Sequence, residues 1–132
     1  MNKEKLKQKL KKYNYQYKEQ FEKITVNLDS SLEIGIDYSE ENRVIITDKL
    51  QGYNMLTGVW SMSIKGSIIF NTFISFFYFV FLSYLRYILH KPFLGYLIMV
   101  MFIIGIGWVI LWTNYYLTKS ENFKTLIQSW DK

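Results

Sequence analysis

Residues 66–85 and 92–118 of this chain contain no Asp, Glu, Lys or Arg. About 20 consecutive apolar residues suffice for one helical bilayer crossing, so two such runs dictate most of what the second half can become. The first span is expected from about Ile68 to Leu89, roughly 33 Å at 1.5 Å per residue, and the second from Phe93 to Leu117. His90, Lys91 and Pro92 interrupt the run, with Pro where a new helix can start. The pattern therefore predicts a transmembrane hairpin. Aromatic residues fall where interfacial belts belong: Tyr84, Tyr87 and Tyr96 near the turn, Trp112, Tyr115 and Tyr116 at the other end, and Trp60 beside them.

Two crossings place both termini on one side. That side carries all sixteen basic residues except Arg86 and Lys91, which points to the cytoplasm. Abundant Lys, Ile, Asn, Tyr and Phe with no alanine at all is the bias of an AT-rich genome, suggesting a bacterial protein of the inner (plasma) membrane. The basic start runs into Tyr13, Asn14 and Tyr15 rather than an apolar stretch, so insertion is expected to be directed by the later segments.

Positive charge is concentrated at the front: residues 1–23 hold eight lysines against Glu4, Glu19 and Glu22. There Leu6, Leu10, Tyr13, Tyr17 and Phe21 recur every three or four residues, a stripe confined to an arc of roughly 80° on a helix. Lys5, Lys9 and Lys12 flank it on one side, Lys7, Lys11 and Lys18 on the other. Packing of the stripe on the adjacent domain, with solvated lysines, is the leading expectation. Contact of these lysines with anionic lipid or a partner is the next. Nucleic acid, for which Tyr13, Tyr15 and Tyr17 among lysines would be the only signal, is disfavoured.

The period then changes to two. Ile24, Val26 and Leu28 alternate with polar residues, as do Leu32, Ile34, Ile36 and Tyr38, and Arg43 to Asp48 reads as a third strand with Val44 and Ile46 inward. Asp29–Ser31 and Ser39–Asn42 supply the turns, and such short links make the strands antiparallel. Three strands with one apolar face need a cover, which the leader helix offers. Gln51 to Ser63 is either a fourth strand or an apolar loop at the bilayer surface. After the second span, Ser120 could cap a short helix with Phe123, Leu126, Ile127 and Trp130 on one face, an interfacial tail.

The expected fold is thus an α+β membrane protein: a basic helix on a small antiparallel β-meander (residues 1–66), a two-helix hairpin (67–117) and an amphipathic tail helix (118–132).

Little in the chain suggests catalysis. Absence of cysteine removes disulfides, thiolate nucleophiles and cysteine-ligated zinc. The single histidine, His90, has no nearby carboxylate; Glu40 and Glu41 are adjacent rather than facing; Glu33 and Asp37 lie on a strand's outer face; Gly105-Ile-Gly107 is inside a span. No catalytic, metal or cofactor site is expected. The informative constellation is Asn71, Ser75, Tyr78 and Arg86, which with Leu82 fall at i, i+4, i+7, i+11 and i+15 on one face of the first span. Intramembrane polar groups usually face another helix or water. Here they either join the two helices of one hairpin or face neighbouring subunits or a pore. On the second span, Gly105 shares a side with Trp108 and Trp112, a candidate packing surface.

Two functions follow as expectations. In one, a cytoplasmic module senses or docks a partner while a homo-oligomeric hairpin acts as a membrane effector or small channel. In the other, the chain is an accessory, assembly or immunity subunit packed against a larger membrane protein.

Overall fold

A computed structural model describes residues 2–40 and 43–130. The Glu40–Glu41 pair and the end of the Ser39–Asn42 turn fall partly outside the described residues.

Helix α1 (Lys3–Lys12) starts at Asn2, whose side chain accepts a hydrogen bond from the Glu4 amide at 3.2 Å, and carries Glu4 in its first turn and Lys9, Lys11 and Lys12 in its last. Each feature suits the helix dipole. Leu6 and Leu10 are fully buried, so the apolar stripe packs inward. It is shorter than its periodicity suggests. The chain turns at Asn14, in the left-handed region (φ 57°), and residues expected to continue the helix form a strand, β1 (Gln16–Gln20). Tyr17 still reaches the core, joined there by Tyr15, which lies off the expected stripe, because alternate extended positions share a face. Phe21 does not: it sits at the following reversal with φ 50° and is 98% exposed.

Strands β2 (Lys23–Asn27), β3 (Leu32–Glu40) and β4 (Arg43–Leu50) complete a four-stranded antiparallel meander in the order β1-β2-β3-β4, one strand more than the sequence predicts. Its inner face carries Ile24, Val26, Ile34 and Ile36, all fully buried.

Helices α2 (Ile64–Leu89) and α3 (Pro92–Ser129) form the hairpin. Ser63 caps α2 by accepting from the Gly66 amide at 3.0 Å, and the Ile64 amide donates to Asp48 Oδ2 at 2.7 Å, tying the start of α2 to β4. His90 ends α2 in the left-handed region, and Pro92 opens α3. Both helices are long and apolar enough to cross a membrane, and in neither is any of the most apolar 18-residue stretch buried inside the chain.

The expected separate tail helix does not exist. α3 runs unbroken from the hairpin turn to Ser129, with Ser120 in its interior rather than at a cap. Its last turns bury Phe123, Ile127 and Trp130 against α1 and the sheet. The tail is therefore part of the α+β module's core rather than an interfacial appendage. The apolar face that suggested a membrane surface is real; the sheet covers it. Tyr13 stacks on Trp130 (centroids 5.4 Å apart, 4° between planes), and Tyr15 meets Phe123 edge-on at 5.1 Å.

A second cluster of Leu32, Leu50, Leu56, Ile64 and Tyr116 joins the sheet's other end to both long helices. Residues 51–63 settle as an ordered loop with two isolated bridges, Leu50–Met62 and Asn54–Gly58, and add no strand to the sheet. Asn54 organises it. Its carboxamide oxygen accepts from the Leu56 and Thr57 amides at 2.8 and 2.9 Å, while its nitrogen donates to the Gln51 carbonyl at 2.6 Å.

Candidate functional site

The polar stripe of α2 faces its own hairpin partner. Asn71 donates to the carbonyls of Leu56, in the loop, and Ser67, one turn back, at 2.9 and 2.8 Å. With Ser75 it lines a cleft of about 370 Å³ whose far wall is Phe102, Ile106 and Val109 of α3. Tyr78, Leu82 and Arg86 border a second cleft, about 110 Å³, closed by Leu94, Leu97 and Met101. Every stripe position therefore borders a space shared by α2 and α3. The hydrogen bonds of Asn71 run to the loop and to its own helix rather than to α3.

Within the chain the three residues of the second-span surface meet different surroundings. A side chain at Gly105 would meet nothing within 4 Å, so within the chain it packs against no neighbour. Trp108 instead donates its indole N–H to the Met55 carbonyl at 2.9 Å. Trp112 packs on the second core cluster and among Trp108, Tyr115 and Tyr116, with centroids 5.6–5.9 Å apart. Within the chain the tryptophans thus seat the loop. On the loop's outer side Tyr53, Met55, Val59 and Trp60 are exposed, continuous with the bare surface of the helices.

A polar latch missed at the sequence level joins the β2–β3 turn to α3. Asp29 Oδ2 accepts from Tyr115 Oη at 2.7 Å and Lys119 Nζ at 2.8 Å, and the Ser30 amide donates to its other oxygen at 2.7 Å. The Lys119 ammonium beside it, with the Tyr115 hydroxyl, holds the Asp29 carboxyl well below the usual carboxylate range and raises Lys119 in return. Asp29-Ser-Ser reads as a turn in sequence; nothing local ties it to a residue 90 positions on.

The leader lysines divide. Lys7 lies 2.6 Å from Glu4 and 3.3 Å from Glu19, and Lys3 is 2.7 Å from Glu19. These contacts raise Lys7 and lower Glu19. Lys5, Lys11 and Lys12 are exposed and Lys9 is half-buried, with Lys12 5.9 Å from the Tyr13 ring centre. Lys18 is not on the helix at all. It stands in β1, in a transverse row with Thr25, Gly35 and Thr47 on the sheet's outer face. Through the Tyr13–Trp130 stack the end of α1 sits against the last residue of α3's course, about 20 Å along the axis from Leu117.

Among the described residues no group of three or more His, Asp or Glu side chains is placed to hold a metal ion. Comparison with known proteins gives no match to a family model, a curated protein or a solved structure.

Proposed function

We propose that this chain is a two-span integral membrane protein, without enzymatic activity, that holds a small basic α+β module rigidly at the cytoplasmic face of the bacterial inner membrane and acts as an accessory or docking subunit for a larger membrane protein. The observation that carries this reading is the continuity of α3. One helix supplies a candidate span and then the core of the module, and the Asp29 latch and the Asn54 loop brace the junction. A sensor working by relative motion needs two arrangements of comparable energy; a braced single helix favours one. The inner part of the polar stripe supports the same choice, because Asn71 and Ser75 border a cleft inside the hairpin and Asn71 bonds the loop, which leaves a largely apolar exterior for lipid or a partner's helices. Lys12, beside the Tyr13–Trp130 stack at the end of α1, stands some 20 Å along α3 from the apolar run, beyond the Debye length of about 8 Å, and so suits a soluble partner better than the membrane.

A second reading, a homo-oligomeric effector or small channel, draws support from Gly105, which leaves bare backbone on α3 where a second copy could approach closely. Gentle detergent extraction followed by mass measurement of the particle separates the two. A monomer, or a complex with a different protein, is expected. A defined homo-oligomer that dissociates when Gly105 is replaced by Leu would establish the second reading instead. An alkaline phosphatase fused after Lys132 should be inactive; an active fusion would reverse the proposed orientation.

A further inference from the structure

Arg86, His90 and Lys91 gather at the hairpin turn, bordering with Ser83 and Tyr87 a pocket of about 420 Å³. Arg86 reaches this place across the hairpin. Its guanidinium lies against Gly95 of α3, with Cζ and Nε 3.0 and 3.1 Å from where a β-carbon would stand, so the absence of a side chain at 95 makes its seat. No carboxylate occurs anywhere between Asp48 and Glu121. Arg86 and Lys91, this near an apolar run and with no carboxylate among the described residues paired with them, call for an anion from outside. Arg86 also lines the smaller cleft below, whose other walls are Leu82, Leu85, Leu97 and Met101. A cationic, hydroxyl-bearing pocket thus adjoins an apolar slot, with Arg86 lining both.

We propose that this is a binding site for an anionic phospholipid of the leaflet on the turn side: Arg86 and Lys91 hold the phosphate, and the apolar cleft takes the start of an acyl chain. The inference rests on the membrane reading above. An amphiphile fits both halves of the site, whereas a free phosphate fits only the upper one. Guanidinium is suited to the phosphate because it offers paired N–H donors.

The test uses the full-length protein in dodecyl maltoside, titrated with dioctanoyl phosphatidylglycerol, dioctanoyl phosphatidylcholine or inorganic phosphate, with thermal unfolding and native mass spectrometry as readouts. Phosphatidylglycerol alone should raise the unfolding temperature and remain bound. Replacing Arg86→Gln with Lys91→Gln should weaken it by roughly tenfold or more, as expected for two cations at a lipid surface. Gly95→Leu keeps every charge but removes the seat of Arg86 and should weaken it too. If the double variant does not accumulate, Lys91→Gln and Gly95→Leu alone decide. Equal stabilisation by phosphatidylcholine or by inorganic phosphate, or unchanged phosphatidylglycerol binding in the variants, would overturn the proposal. Carbonate extraction of membranes expressing the wild type keeps the two readings apart: release of the protein would sink the membrane reading, whereas a carbonate-resistant protein that ignores phosphatidylglycerol sinks only the lipid site.

Discussion

Ser120 shows how a single side chain can carry opposite meanings. As a helix cap its replacement by Ala would cost about 1 kcal/mol. In the structure it is fully buried inside α3, and its hydroxyl has no partner among the described residues. Ser120→Ala is therefore expected to leave stability unchanged or raise it by about 1 kcal/mol, since an unpaired buried hydroxyl is removed with little loss of volume; chemical denaturation of the purified protein reads the sign. Asp29 gives a second test. Its folded carboxyl is held below its ordinary value of 3.8, so its contribution is present above that pH and is lost as pH falls. Asp29→Asn should cost about 1–2 kcal/mol at pH 7, the scale of partly exposed charge-assisted hydrogen bonds. It should also flatten the decline in stability between about pH 5 and 2, and a variant that retains the wild-type acid slope would exclude Asp29 as its source.

At the scale of elements, the boundary between α1 and β1 is decided by Asn14 rather than by periodicity. Spacings of three and four residues satisfy a helix, yet Tyr15 and Tyr17 satisfy a strand equally well, and only the left-handed turn at Asn14 separates the two. The structure makes a contrast that a helix running to Phe21 would not. Leu10→Asp puts a charge into the core and should destabilise the module by several kcal/mol, whereas Phe21→Asp should stay within about 0.5 kcal/mol. Limited proteolysis of membranes bearing each variant distinguishes them. Equal sensitivity of the two would restore the long helix. Residues 51–63 illustrate the same limit, for their alternation of apolar and glycine positions fits a strand, but the Asn54 carboxamide bonds its own loop at four points and closes it.

At the scale of the whole molecule the junction between hairpin and module is a single helix, and register along it can be tested. Inserting two alanines after Thr118 turns everything beyond by about 200°, which carries Phe123 and Ile127 out of the core; inserting four returns them to within about 40°. The first variant should lose the protease resistance of the module while remaining carbonate-resistant in membranes, and the second should recover part of it. Equal tolerance of both would mean that the tail is independent. The sequence by itself determined the elements whose pattern is long or strict: two uncharged runs sufficient for spans, their break at His90–Pro92, the alternation that makes β2, β3 and β4, and the inward stripe of Leu6 and Leu10. It also singled out the Asn71, Ser75 and Tyr78 face, because helical periodicity is local and needs no partner to be read. What covers each apolar face was decided only by tertiary structure. Phe123, Ile127 and Trp130 are as compatible with a bilayer surface as with a sheet, and Asp29 meets Lys119, or Arg86 meets Gly95, only once the chain has folded back. The hydrophobic effect rewards removal from water without specifying the neighbour, so a pattern states that a face is buried and packing alone states against what.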